Sequence, residues 1–309
     1  MAFSPLPALM AWVATVLMLM VAPILGPAAI FVNCVIPLPS AYVALRYSLP
    51  TAMVAVVATA VATVVTSGPE GLLPYLAQYG AASLLLPWLL RQGKAWDRAV
   101  ALSLLLTTLL GGAGLAGYAM QRGAAILTIV EDYVASETGK ALEIYRQAEL
   151  PADQLELMEE VVQSVSAFLL TAWPSLILIG SAALLLTTVV LLSRFSGGYY
   201  RLNGPPYHLW KSHEMLVWPL IVAGFTLLLS GEMLQMVAIN LLVLLLPLYF
   251  LQGMAIISYF FLKKGVPPLL RVLGYMTMAF FNPLPLIVTG LGLFDLWIDF
   301  RKPRLKPTS

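Results

Sequence analysis

Charge is what this chain has least of. Asp, Glu, Lys and Arg make up only 10% of its 309 residues, against 60% hydrophobic residues and a mean hydropathy of +0.89. A soluble domain carries about a quarter charged residues, so too little polar surface remains here to cover a soluble globule. Cysteine is nearly absent: the single Cys34 excludes an internal disulfide and a cysteine-built metal cluster. The start of the chain has neither the basic segment nor the small-residue cleavage site of a secretory leader, so the first apolar run is expected to stay. No Gly-x-x-x-x-Gly-Lys-Ser/Thr loop occurs, so the chain does not grip ATP phosphates by that device. His213-Glu214 opens like a zinc-protease His-Glu-x-x-His, but Val217 stands where the second histidine belongs. Gly290 to Asp295 misses the spacing of an intramembrane aspartyl protease by two residues, and no serine nucleophile pairs with a membrane-embedded histidine. No enzymatic activity, cofactor, metal or nucleic-acid partner is expected.

What the chain does have is a series of apolar runs of bilayer length, about 20 residues each. Backbone in hydrocarbon must satisfy its own hydrogen bonds, and these runs are too long and too uniform for the alternating strands of a membrane barrel. The expected fold is an all-α integral membrane protein, a polytopic bundle of about 8–10 transmembrane helices with an extracytoplasmic helical hairpin. From Ala8 to Leu45 no residue is charged, and Pro23, Gly26-Pro27, Pro37 and Pro39 break the run into two short spans. Further spans are expected near 50–66, 72–90, 99–120, 168–192, 215–230 and 234–262, followed by a stretch broken at Phe281-Asn282-Pro283-Leu284-Pro285. In the fifth span, Gly112/Ala116 and Ala113/Gly117 have the spacing at which helices pack closely.

One long stretch is polar. Between Arg122 and Ser166 stand Glu131, Asp132, Glu137, Glu143, Glu149, Asp153, Glu156, Glu159 and Glu160 against Arg122, Lys140 and Arg146. It reads as two helices hinged at Leu150-Pro151, the second running into the sixth span with an amphipathic stripe of Leu155, Met158, Val162, Val165 and Leu169. The chain thus divides into an N-terminal membrane half (1–120), an acidic hairpin (121–166) and a C-terminal membrane half (167–309). Placing loops alternately on two sides puts 14 of 17 basic residues on one side and 11 of 15 acidic residues on the other. Basic loops stay cytoplasmic. The expected location is a bacterial inner membrane, with both termini inside and the acidic hairpin outside. Ten crossings satisfy this if the last broken stretch goes out and returns; nine result if Val266 to Phe281 lies along the inner surface.

Polar side chains at membrane depth are the candidate site, because keeping them there is costly. Asn33 sits between the proline breaks, Glu232, Asn240 and Gln252 cluster around the eighth span, and Trp173 and Tyr249 supply aromatic walls for a substrate pocket. Asn and Gln also simply cross-link helices. Asp295 and Asp299, four apart on one helical face, form a possible intramembrane charge pair, with Arg301 and Lys302 as the alternative partners.

The stretches Ala172-Trp173-Pro174, Trp210 to Trp218, Asn240 to Lys264 and Gly292 to Lys302 carry a resemblance to the YybS-like family of uncharacterised bacterial multipass membrane proteins. That family is distantly similar to the substrate-binding membrane subunits of energy-coupling-factor transporters. The resemblance implies a compact bundle, an outward pocket for a small-molecule ligand, and partners: a transmembrane scaffold and ATPase subunits, all in contact with the lipid bilayer. A structural or assembly factor of the cell envelope is the alternative.

Overall fold

The computed structural model describes residues 4–147, 151–196, 200–229 and 231–302. All regular structure among them is helical. The chain begins with α1 (Pro5–Val21), a 3-10 stretch (Ala22–Ala28), α2 (Ala29–Asn33), α3 (Leu38–Arg46) and α4 (Leu49–Ser67). Then come α5 (Leu72–Pro74), a π-helical turn (Tyr75–Gly80), α6 (Ala81–Arg91), α7 (Trp96–Arg122) and α8 (Ile126–Gln147). The 44-residue α9 (Ala152–Phe195) leads to α10 (Val217–Thr226), α11 (Glu232–Lys263), α12 (Pro268–Phe280) and α13 (Leu284–Ile298).

Among the described residues, six segments are long and apolar enough to cross a bilayer, one of them the joined α2 and α3 (Ala29–Arg46), or up to seven when the bent pair α12–α13 counts as one crossing. The protein is a polytopic helical membrane protein. Its count by length falls below the sequence estimate for identifiable reasons. The expected fourth span is helical over 72–91 but is delivered in α, π and α pieces. The expected seventh shrinks to the 10 residues of α10, about 15 Å and half the hydrocarbon core. Its last turn is closed by tight bonds from the Leu228 and Leu229 amides to Phe225 and Thr226.

The helices form two compact units, Met1–Ser166 with Ile177–Gly204, and Ala167–Leu176 with Pro205–Ser309. In the first, buried Ala11, Val43, Ala44, Ala52 and Ala55 let α1, α3 and α4 approach closely. A second core joins α3, α6 and α7 to the last third of α9 through Leu86, Leu90, Val100, Leu185 and Leu192. Threonine hydroxyls in this apolar setting bond back to their own helix, as Thr59 does to the Ala55 carbonyl at 2.8 Å. The small face of α7 is used one position away from the expected pairs. A Cβ on Gly111 would meet the Ala77 methyl at 3.3 Å and one on Gly114 would run into Leu73, whereas Gly112 and Gly117 face open space. Helical spacing alone does not say which of several small residues faces the neighbour.

The acidic stretch is two helices, α8 and the start of α9, joined on the polar side by Arg146 and Glu159 at 2.7 Å. Pro151 is the N-cap of α9; Leu150 of the expected hinge and Glu149 lie outside the described residues. So do Tyr199, Ser230, Arg304 and Lys306. At 1.5 Å per residue α9 is about 66 Å long, roughly twice the hydrocarbon thickness. Its acidic first part must therefore stand clear of the membrane.

Candidate functional site

The polar centre of the second unit depends on two glycines that bring α13 against α11. A Cβ on Gly292 would lie 2.7 Å from the Gly253 amide nitrogen, and one on Gly253 would lie 2.8 Å from the Val288 carbonyl carbon. The backbones touch at 249–292 and again at 253–288, so α13 runs antiparallel along α11. This contact carries the Asp295 side chain to α11 and buries it completely.

Asp295 is the hub. Its Oδ2 lies 2.5 Å from Arg301 Nη2 and accepts from Gln252 Nε2 at 3.3 Å, while its Oδ1 accepts from the Phe300 amide at 3.1 Å. Arg301, itself buried, donates through Nη1 to the carbonyls of Trp210 (2.8 Å) and His208 (3.2 Å). Gln252 Oε1 accepts from both the amide and the hydroxyl of Ser212. Lys211 Nζ lies 2.9 Å from Asp299 and 3.8 Å from Asp295, and Lys302 reaches Asp299 at 3.3 Å. The Lys211 ammonium, hydrogen-bonded to it, holds the Asp299 carboxyl below its ordinary range against the opposing effect of burial, with Lys302 adding to the lowering. Three cations thus face two carboxylates. The loop Tyr207–Ser212 is fastened through its contacts with Arg301, Gln252, Asp295 and Asp299, and by the Tyr207 hydroxyl donating to the Leu251 carbonyl at 2.9 Å.

Depth along α11 matters. Gln252 is about 30 Å from Glu232 at one end of α11 and about 17 Å from Lys263 at the other. One turn earlier, Tyr249 is fully buried among Val217, Leu220 and Leu245, and its hydroxyl has no partner among the described residues.

Asn240 does different work. Its Nδ2 donates to the Thr171 carbonyl at 2.7 Å and its Oδ1 accepts from the Ser175 amide at 3.2 Å. Thr171 and Ser175 straddle Pro174 in α9 and are the pair that bond each other in an uninterrupted helix. The carboxamide of Asn240 is thus spliced into the ladder of α9 where the proline disturbs it. Trp173 lies half-buried beside this joint.

Of the expected site residues, Gln252, Asp295 and Asp299 meet in one network, with Tyr249 a turn away; Asn240 and Trp173 share the Pro174 joint. Glu232 is exposed at the first turn of α11. Asn33 belongs to the first unit, where it lines a shallow cleft of about 260 Å³ with Leu19, Ala22, Pro23, Gly26 and Ala29. A second cleft of about 270 Å³ lies among Ser48, Leu49, Pro50, Trp88, Arg91 and Gln92. Lys211 and Ser212, essential to the network, were not among the expected site residues. Their signal was a cation and a hydroxyl placed directly before an apolar span. Among the described residues, no three His, Cys, Asp or Glu side chains come together as metal ligands.

Against known families, the model for a predicted membrane protein family, DUF2232, matches residues 12–296. The chain belongs to that family. The match takes in α11, α13 as far as Leu296 and the loop bearing Lys211, so Lys211, Gln252 and Asp295 lie inside the family's extent, with Asp299, Arg301 and Lys302 just beyond it. No curated protein and no solved structure matches.

Proposed function

We propose that this protein is a small-molecule-binding transport component, not an enzyme by itself, that draws its energy from partner subunits. The observation that carries the reading is the ion-paired network of Lys211, Asp295, Asp299 and Arg301, built on a fully buried carboxylate packed against the long apolar helix α11. Charges buried inside a helical membrane bundle are expensive and mark pathways for ions or substrates. Proline- and glycine-broken apolar segments occur in both parts of the chain, at Pro23–Pro27 and at Phe281–Pro285, the sequence feature that accompanies binding sites in transporters. The Asn33 cleft lies at the first of these breaks. The likeness to the substrate-binding subunits of energy-coupling-factor transporters points the same way and supplies the partners: a scaffold and ATPases. The basic loops and both termini face the cytoplasm of a bacterial inner membrane, and the acidic arm of α8 and α9 faces out.

The test is native mass spectrometry of the full-length protein purified from its own membranes, alongside the Asp295→Asn and Asn33→Ala variants. A retained small molecule or co-purified ATPase subunits, reduced in either variant, is the expected result. A clean preparation carrying envelope proteins on the acidic arm sinks the transport reading and favours an assembly factor, the reading to which the protruding, charge-dense start of α9 lends itself. Cysteine labelling checks the orientation: a Glu137→Cys site in a Cys34→Ser background is reached by impermeant reagent in intact cells, and protection there overturns the topology.

A further inference from the structure

We propose that α12 is an in-plane interfacial helix seated on anionic phospholipid headgroups through Lys263, Lys264 and Arg271. The axis of α12 is bent 98° from that of α13. Because α13 lies along α11, that bend sets α12 across the pair. Its 13 residues span about 20 Å, short of a hydrocarbon core of about 30 Å. Its level is fixed by contact: a Cβ on Gly274 would lie 2.7 Å from the Phe261 ring, and the Tyr275 and Phe261 ring centroids are 5.4 Å apart. Phe261 is in the last turn of α11, so α12 rests where that helix leaves the membrane.

The outward face of α12 is apolar at helical spacing. Leu269, Leu273, Met276 and Phe280 are 72%, 53%, 57% and 86% exposed, and the helix has no buried residue. A helix that lies flat with such a face needs hydrocarbon beneath it. The charge beside it is of one sign. Lys263 and Lys264 close α11, and Arg271 stands in the first turn of α12 with its Nε on the Val266 carbonyl at 2.6 Å. No Asp or Glu occurs between Glu232 and Asp295, and none of the three cations has a carboxylate partner among the described residues. An apolar face beside cations that no carboxylate neutralises is the pairing that holds a helix on an anionic leaflet, at roughly fivefold in affinity per cation. On this assignment α13 dips back along α11 and ends at the charged network, and the tail returns to the side of the Tyr207–Ser212 loop, to which Arg301 is bonded. The stretch 266–298 then never crosses.

The full-length protein, with Cys34→Ser, is reconstituted in phosphatidylcholine vesicles with and without phosphatidylglycerol. Single spin labels go at 269, 273, 276 and 280 by cysteine substitution. Collision with oxygen against a polar nickel complex gives one shared shallow depth for all four if α12 lies flat. A depth that changes steadily from 269 to 280 overturns the assignment. Lipids retained in native mass spectrometry are expected to be enriched in phosphatidylglycerol, with Lys263→Gln/Lys264→Gln lowering that enrichment by more than tenfold. The double variant touches only the exposed end of α11, so it keeps the fold. Equal retention of both lipids by the wild type, or no change in the variant, refutes the headgroup contact.

Discussion

Replacing Arg301 with Gln tests whether the charged network is a coupled unit. The substitution removes a cation 2.5 Å from a carboxylate that has no exposed surface. Breaking a buried pair from one side costs about 3–5 kcal/mol, because the remaining charge is stranded. Asp295 keeps Gln252 Nε2 at 3.3 Å, the Phe300 amide at 3.1 Å and Lys211 at 3.8 Å, which places the expected loss at the lower end. Asp295→Asn strands Arg301 less severely, since the His208 and Trp210 carbonyls still accept from it. About 2 kcal/mol is expected for that variant. If the two side chains act on each other, Asp295→Asn with Arg301→Gln costs no more than Arg301→Gln alone, giving a coupling of about 2 kcal/mol. Arg301→Lys keeps the charge but loses the fork that bridges Asp295 to the loop carbonyls, and falls between. The measurement is a double-mutant cycle by denaturant unfolding in detergent micelles, followed by tryptophan fluorescence. Losses that add within about 0.5 kcal/mol would show that the pair is incidental.

Three further outcomes follow from the same geometry. Asn240→Ala leaves the Thr171 carbonyl and Ser175 amide without their inserted partner and costs about 1–2 kcal/mol; hydrogen exchange at Ser175 should speed up, and an unchanged rate would dismiss the splice at Pro174. Gly292→Ala drives a methyl into the α11 backbone and costs about 1–3 kcal/mol in thermal unfolding, while Gly290→Ala, which meets nothing within 4 Å, is close to neutral. Asp299 has its carboxyl pKa held down in the fold, first by Lys211, so its contribution is present above the ordinary carboxylate value and is lost as pH falls through the lowered one. Asp299→Asn should therefore flatten the acid limb of the stability profile below about pH 4 without altering its shape near neutrality; an identical acid limb in the variant would exclude this role.

Much of the fold was legible because a bilayer enforces simple rules. Absence of charge marked the helices, and the excess of acid between 122 and 166 marked the arm that α8 and α9 build. The breaks were harder to place. Pro23 and Gly26-Pro27 end α1 as expected, with Gly26 at φ 53 providing the turn, but Pro174 and Pro247 are absorbed within long helices. At Pro174 the reason is Asn240, 66 residues away in sequence, which no local rule could supply. Gly253 and Gly292 read as ordinary membrane glycines until the structure brings each against the other helix's backbone, and only that approach lets Asp295 reach Gln252. The compact units also divide the chain differently from the charge pattern: 177–204 packs with the first part and 167–176 with the last. Charge sorting reports which side of a membrane a loop faces and carries nothing about which helix it touches.

The difference between Asp295 and Glu232 shows where sequence reasoning about polar residues stops. Both are acids bordering apolar runs, and both were candidates on the cost of keeping a charge at depth. Glu232 proves to be exposed at a helix start, where an acid is favoured by the unpaired amides. Asp295 is enclosed, with a guanidinium, a carboxamide and a backbone amide on its two oxygens. Burying a charge without such partners costs several kcal/mol, so the partners and the burial imply each other. The loop Tyr207–Ser212 and the tail residue Arg301, neither of them in a spanning helix, are therefore what permit a carboxylate at this position on α13. Any motion that frees the loop also exposes the charge, and that linkage makes this network, more than either shallow cleft, the place to look for function.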